Sequence, residues 1–365
     1  MTLFDFYQNK TVLMTGHTGF KGTWLSLMLQ LAGATVIGYA HQPKPTDQNT
    51  ILADLFALSN VEAQMESIEG DIRDLNHLQD VFRRFRPEIV FHLAAQPIVR
   101  ESYEHPVYTY ETNVLGTVNL LECVRTVPGV KSVLNVTTDK VYENREWVWG
   151  YRETDPLDGY DPYSNSKSCS ELVTHSYKKS FFDAMGIAVS TVRAGNVIGG
   201  GDFAKDRLIP DCVRAALNGQ EIVIRNPHSI RPFQHVLEPL WAYLMIAKQQ
   251  AQEPKKQGYY NVGPEEEDCI TAGALADLFC QAWGDGLSWQ NADVGGPHEA
   301  SFLKLDCSRI KHQFGWKPHW RIQQAVAKTV EWTRAYQNQE DIRLCMERQI
   351  SDFIKEAEAM GGDSV

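Results

Sequence analysis

Along the first half of the chain, short runs of apolar and β-branched residues alternate with longer stretches in which apolar positions recur every three or four residues. The short runs predict buried strands and the longer stretches predict helices. Thr11-Val12-Leu13-Met14-Thr15 is the first strand. It runs directly into Gly16-His17-Thr18-Gly19-Phe20-Lys21-Gly22, after which Trp24, Leu25, Leu27, Met28 and Leu31 fall at helical spacing. Thr35 to Tyr39 predicts a second strand, and Gly70-Asp71-Ile72-Arg73-Asp74 closes a third. Leu75 to Arg86 reads as an amphipathic helix. The fourth strand and its exit are Ile89-Val90-Phe91-His92-Leu93-Ala94-Ala95-Gln96, with a helix over Asn113 to Arg125 behind it. A fifth strand, built on Val133, Leu134 and Val136, ends at Thr137-Thr138-Asp139-Lys140-Val141-Tyr142. A helix from Pro162 to Met185 and a strand from Ala188 to Val192 continue the alternation. The pattern predicts an α/β fold with a doubly wound, Rossmann-like parallel sheet, whose ligands lie beyond the carboxyl ends of the strands.

Beyond Gly199 the periodicity is less regular. Gly199-Gly200-Gly201-Asp202 is a loop, Leu208 to Leu217 a helix and Glu221 to Arg225 a strand. Tyr259 to Gly263 reads as a late strand, and Thr271 to Trp283 and Ile322 to Tyr336 as helices. His41 to Thr50, with Pro43 and Pro45, is a loop. Two units follow from this reading. Residues 1–195 form a dinucleotide-binding domain to which 232–262 return, and 196–231 with 263–365 form a smaller, mixed α/β substrate-binding domain.

Composition narrows the partners more than the fold. At 365 residues, 43% hydrophobic and 22% charged, the chain has the make-up of an ordinary globular protein. A formal charge of −11 argues against nucleic acid or an anionic membrane as partner, while leaving room for a small anion held by local basic groups. The seven cysteines lack C-x-x-C spacing, so neither a disulfide framework nor a metal site is expected. No apolar run approaches a membrane span, and a cytoplasmic location is expected.

Candidate chemistry gathers at the strand ends. Strand, glycine turn and helix in that order are the context of a dinucleotide fingerprint. Gly16, Gly19 and Gly22 permit a tight turn that brings the backbone against a pyrophosphate at the helix N-terminus, with His17, Thr18 and Phe20 beside it. An acidic residue often ends the second strand and grips the adenosine ribose, but Tyr39-Ala40-His41 stands there. The preference for NAD over NADP therefore stays open, and His17, Lys21 or His41 are candidates to tolerate a 2′-phosphate. Asp71 and Ile72 are placed for the adenine edge and face, and Leu93-Ala94-Ala95-Gln96 lets the cofactor come close. His92 reads as a satisfied core histidine. Tyr163 and Lys167, four apart, share one helix face. A nearby ammonium favours the phenolate, which would make the tyrosine a base. Thr138, Asp139 and Lys140, just beyond Thr137, add a hydroxyl, a carboxylate and an amine. Arg207, Arg225, Arg231 and Arg309 are candidate phosphate partners, Arg231 foremost because Pro232 and Phe233 flank it.

Gly16-x-x-Gly19-Phe20-x-Gly22, His92-Leu93-Ala94-Ala95, Thr138-Asp139 before Val141-Tyr142, Tyr163-x-x-x-Lys167 and Arg193-x-x-Asn196 occur in one order. Together they resemble the extended short-chain dehydrogenase/reductase family over nearly the whole chain. Within it, the Thr-Asp-x-Val-Tyr element is similar to that of nucleotide-sugar 4,6-dehydratases. Most of those acting on dTDP-glucose carry glutamate after the aspartate, where this chain has Lys140. That departure, the 16–22 turn and Arg231-Pro232-Phe233-Gln234-His235-Val236-Leu237-Glu238-Pro239 imply CDP-glucose as the substrate. The segment Gly295 to Lys304 also departs from the dTDP-sugar pattern.

The resemblance implies a closed redox cycle on NAD. Tyr163, supported by Lys167, takes the proton of the sugar 4-hydroxyl, Thr138 bonds the same oxygen, and hydride leaves C4. Asp139 protonates the departing 6-hydroxyl, Lys140 stands where the usual glutamate acts as base at C5, and hydride returns to C6. In the alternative, Lys140 only pairs with Asp139 and a water or another group is the base. By the same resemblance, Thr137, Tyr163 and Lys167 touch the cofactor, and Asn196, Arg207, Leu208, Arg231 and Asn261 surround the nucleotide diphosphate and base. It further implies deoxysugar and O-antigen biosynthesis. A homodimer or homotetramer pairing through the helices after the fourth and fifth strands is also implied, although their apolar residues could serve only the monomer core. Three rival readings remain: a nucleotide-sugar 4-epimerase, which shares the cofactor, tyrosine and lysine but needs no elimination pair; a dinucleotide-sensing regulator without catalysis; and a structural scaffold.

Overall fold

In the computed structural model, which describes residues 2–41, 54–292 and 302–361, seven parallel strands form the centre of the protein. They are β1 (Thr11–Thr15), β2 (Thr35–Ala40), β3 (Glu66–Glu69), β4 (Ile89–His92), β5 (Ser132–Val136), β6 (Ala188–Ala194) and β7 (Tyr259–Val262). Their order across the sheet is β7-β6-β5-β4-β1-β2-β3, so the chain reverses direction of travel between β1 and β4. Register aligns the strand exits: Thr15 lies opposite both Tyr39 and His92, Val136 opposite Val192, and Ala194 opposite Val262. A crevice opens beyond those exits, where parallel sheets place their ligands.

Alternate residues of each strand feed two cores. Val12, Met14, Phe91, Leu134 and Val192 pack on one face, and Leu13, Val90, Val133 and Val189 on the other. A sheet covered on both faces needs apolar residues at successive positions, which explains the unbroken runs in the sequence. A third core, including Ile209, Val213, Ile222, Phe279 and Val326, lies under the substrate side. The C-terminal residues divide between cores: Val326 and Val330 join the third, whereas Trp332, Met346 and Phe353 pack with the first.

Several elements differ from expectation. The third strand is Glu66–Glu69, and residues 70–74 form the turn after it, where Asp74 caps the helix Leu75–Phe85 by accepting from the His77 amide at 3.0 Å. The helix expected from Asn113 begins with a wider π turn, Glu111–Leu115, before Gly116–Thr126. The buried helix Leu237–Gln252 was not expected, because Leu240 through Leu244 are all buried and leave no amphipathic period to read. Of the loop expected at His41 to Thr50, residues 42–50 lie outside the described residues, as do 295–301 of the divergent segment. Among the described residues no helix is long and apolar enough to cross a membrane.

Beneath the strand exits, Glu171 and Arg193 form an ion pair only 1–2% exposed. Glu171 Oε1 accepts from Thr137 Oγ1 at 2.5 Å and Arg193 Nε at 3.0 Å; Oε2 accepts from Thr191 Oγ1 at 2.6 Å and Arg193 Nη2 at 3.0 Å. Arg193 Nη1 donates on to Tyr142 at 2.9 Å. One carboxylate thus joins β5, β6 and the helix Pro162–Tyr177. Glu171→Gln leaves a guanidinium buried without its counter-charge and is expected to cost about 3–5 kcal/mol in urea unfolding. A loss within the usual surface range of about 0.5 kcal/mol would contradict this account.

Candidate active site

The glycine turn is packed too closely for side chains. A Cβ on Gly16, whose φ is +76°, would lie 2.7 Å from the Ala94 nitrogen, and one on Gly22 would collide with the Gly16 carbonyl oxygen. Gly19 caps the helix Phe20–Leu31 without a side-chain bond, so first-turn N–H groups remain free for a ligand at the crevice. Gly16, Thr18, Phe20, Gly70, Ile72 and the Leu93–Ala95 exit share one cleft with the fifth-strand residues. Its volume, about 1990 Å³, is roughly twice the upper end of a pocket for one small ligand (about 300–1,000 Å³). The turn and this space fit a dinucleotide with a second nucleotide-bearing molecule beside it.

Three cofactor-side candidates have other partners in the structure. His17 is turned away from the cleft: its ring fills the space over Gly38, and Nε2 lies 2.9 Å from Ser67 Oγ. Burial pushes its pKa down to about 4, so it brings no cation to a 2′-phosphate. The Gln96 amide is committed to Ile98 and Thr109 rather than to the cleft. The Asp71 carboxylate takes Arg73 at 2.6 Å and His41 at 3.4 Å and does not line the main cleft, although its neighbours Gly70 and Ile72 do.

Thr138 ends the run from β5 and caps the short turn Asp139–Val141. Its hydroxyl donates to Asp139 Oδ1 at 3.0 Å, and Lys140 Nζ lies 3.9 Å from the same oxygen. Asp139 is 1% exposed, and among the described residues its Oδ2 has no partner. Gly195 leaves that oxygen room, since a Cβ there would sit 3.2 Å from it. Tyr163 enters from the helix Pro162–Tyr177, which starts where Asp161 accepts from the Ser164 amide at 2.9 Å and Pro162 sets the first turn. The Tyr163 phenol stands near the Thr138 hydroxyl, and both line the cleft. The tyrosine and Asp139 therefore face one cavity.

The electrostatics differ from the simple pairing expected. Lys167 Nζ donates to the Val136 carbonyl at 3.2 Å, and burial pushes the Tyr163 phenol up to about 12, opposed by the Thr138 hydroxyl and the Arg207 charge. Burial and the Lys21 ammonium push Lys167 down to about 8, against Glu171. Lys21 is itself pushed down to about 8 by burial and Arg207, against Asp139 and Asp202. Considered from sequence only for a 2′-phosphate, Lys21 stands among the reacting groups. Its position in the first turn of a ligand-facing helix was the available signal.

On the substrate side, Asn196, Arg207, Leu208 and Arg231 line the cleft. Arg207 pairs with Asp202 at 3.0 Å, and Arg231 Nη1 donates to the Ile230 carbonyl at 2.9 Å. Arg309 instead lies over the Tyr260 ring. Asn261 is fully buried outside the cleft. Its Oδ1 accepts from Tyr142 at 2.6 Å, and its Nδ2 donates to the carbonyls of Tyr151 and Asp306 at 2.7 and 3.0 Å. With these bonds it braces the floor of the site.

A family model described as GDP-mannose 4,6 dehydratase matches residues 13–329. The CDP-glucose 4,6-dehydratase of Salmonella typhimurium is 50% identical over 357 residues, 96% of this chain and 98% of that one. A dTDP-glucose 4,6-dehydratase of Xanthomonas campestris is 28% identical, over 88% of this chain and 92% of its own. Among solved structures, a Thermus thermophilus UDP-glucose 4-epimerase in complex with NAD superposes with a TM-score of 0.75 at 25% identity, covering 89% of this chain and 99% of that one.

The two depressed lysines make a testable pair. Each holds its proton in the unfolded chain up to about 10.5 but loses it near 8 when folded, so each favours folding increasingly as pH rises through that window. Lys21→Met is expected to raise the titration midpoint of Lys167, read by Nζ-resolved NMR. An unmoved midpoint would show that the two ammoniums are not coupled.

Proposed function

The chain belongs to the GDP-mannose 4,6-dehydratase family, and from that premise we propose that it is a CDP-glucose 4,6-dehydratase, converting CDP-glucose to CDP-4-keto-6-deoxyglucose with NAD. The observation that carries this reading is the convergence of Tyr163, Thr138, Asp139 and Lys140 on one cleft, with Asp139 Oδ2 left for an incoming oxygen. The half-identical relative that bears that name supports the choice of nucleotide.

Bound NAD supplies the hydride acceptor for C4 and the donor for C6. Gly16, Thr18, Gly19, Phe20 and Gly22 hold its pyrophosphate, Gly70 and Ile72 its adenosine, and Leu93, Ala94, Ala95, Thr137 and Lys167 its other end. Tyr163 takes the 4-hydroxyl proton while Thr138 bonds the same oxygen. The Thr138 hydroxyl and the Arg207 charge oppose part of the burial that disfavours the phenolate, and burial still holds the phenol up at about 12 in the absence of ligands. The resulting C4 ketone acidifies the proton at C5, which Lys140 removes. A proton passes through Asp139 Oδ2 to the departing 6-hydroxyl, and with the proton lost from C5 the elements of water leave the sugar. Asn196, Arg207, Leu208 and Arg231 hold the nucleotide diphosphate.

We assign residues 1–195 and 232–262 to the cofactor half and 196–231 with 263–365 to the substrate half, the latter resting partly on the first core. A cytoplasmic location follows from that of NAD and nucleotide sugars. The exposed Val107, Leu115 and Leu172 sit on or beside the helices after β4 and β5, and support a homodimer formed there.

With CDP-glucose and NAD, the expected product has lost one water by mass. Inversion at constant mass would favour a 4-epimerase, and retained NAD binding without turnover of any nucleotide sugar a regulator. Tyr163→Phe is expected to lower turnover about 10²–10⁴-fold. Lys140→Ala should keep C4 oxidation and slow dehydration; the reverse split would remove Lys140 from the C5 step. Sedimentation should show a homodimer, and Leu172→Lys should shift it toward monomer.

A further inference from the structure

The loop before the helix Leu208–Leu217 carries an acidic residue that the proposed chemistry does not use. Asp206 lies on the wall of the cleft with a φ of +62°, a backbone conformation that aspartate tolerates better than most residues. Its Oδ1 meets Arg225 Nη1 at 3.2 Å and Arg100 Nη1 at 3.4 Å. These arginines come from opposite sides. Arg100 belongs to the helix Val99–Glu104 after β4, and Arg225 follows the strand Ile222–Ile224 on the substrate side. All three side chains are about one-third exposed, at 36, 37 and 31% for Arg100, Asp206 and Arg225, so the bridge stands at the mouth rather than in the core. Among the described residues, Arg100 Nε is buried without a partner, which leaves that guanidinium with unused donor capacity.

We propose that Asp206 is an internal counter-anion that bridges Arg100 and Arg225 at the mouth of the cleft and competes with the substrate's diphosphate for Arg225. The inference rests on the nucleotide-sugar reading above. A diphosphate entering beside Arg225 meets a cation already neutralised by a carboxylate, and must displace it or share it. Such attenuation has a chemical purpose. Substrate and product carry the same nucleoside diphosphate, so a tighter grip on that part binds both equally and slows release without helping the reaction. Competition at the anchor leaves the grip on the changing sugar untouched.

The test is CDP binding to the NAD-loaded protein by calorimetry, since CDP carries the shared anchor and undergoes no reaction. Asp206→Asn keeps the backbone conformation and removes the charge. It is expected to tighten CDP about three- to fivefold, the size of a partly screened surface pair, with the gain shrinking at high salt and disappearing when Arg225→Gln is added. A purely structural role for the bridge predicts the opposite sign, because a loosened loop binds less well. Should Asp206→Asn fail to fold, Arg100→Gln reads the same competition in reverse. Asp206 then falls wholly to Arg225, and CDP is expected to bind more weakly. CDP bound by wild type with no change or a loss in Asp206→Asn, or with no loss in Arg100→Gln, overturns the inference alone. CDP bound by no form of the protein overturns the substrate reading and this inference with it.

Discussion

The Glu171 carboxylate is the point on which the site depends. Buried between strand exits, it accepts four hydrogen bonds, from Thr137, Thr191 and two nitrogens of Arg193. A carboxylate in such a place is stable only because every bond and its counter-charge are supplied at once. The burial that raises its pKa is outweighed, first by the Arg193 charge, and its carboxyl stays below the ordinary range. Satisfying it requires β5, β6 and the helix carrying Tyr163 and Lys167 to meet in one arrangement. Arg193 extends the same constraint through Tyr142 to Asn261 at the end of β7. Precision in the cleft above comes from this polar floor below.

Over that floor the cleft gathers more positive groups than one carboxylate can neutralise. Lys21, Lys140 and Arg207 all act on or near Asp139. Burial and mutual repulsion bring Lys21 and Lys167 near the point where an amine can lose its proton at mild pH. An anionic nucleotide sugar relieves that repulsion on entry, so substrate binding and lysine protonation are linked. Asp202 and Asp206 already occupy part of this role against Arg207 and Arg225. The cleft is best described as a balanced field of charges into which a diphosphate exchanges, rather than as an empty basic pocket.

Much of this was legible beforehand. The strand-to-glycine-turn-to-helix order marks a candidate cofactor side, and the structure packs the backbone closely at both Gly16 and Gly22. Thr138, Asp139, Lys140 and Tyr163 were found from their positions at a strand exit and a helix start, and they do share a cavity. The helix Leu237–Gln252 is not legible in the sequence, because burial on all sides erases the periodicity that marks a helix. His17 and Asn261 take partners that the sequence does not show, for a different reason. Each has the right residue type at the right distance along the chain, but side-chain direction was set by remote partners: Gly38 and Ser67 for one, Tyr142, Tyr151 and Asp306 for the other.

The sequence by itself determined the alternation of strands and helices, the parallel sheet, and which chemical groups stand at strand exits, since these follow from spacing along one chain. Tertiary structure alone decided which of those groups face the same space and in what charge state. Lys167 turns to a backbone carbonyl, burial opposes the ionisation of Tyr163, and Lys21 joins them from the turn after β1. Proton affinity depends on desolvation and on charges a few ångströms away, and those neighbours come from segments far apart in the chain.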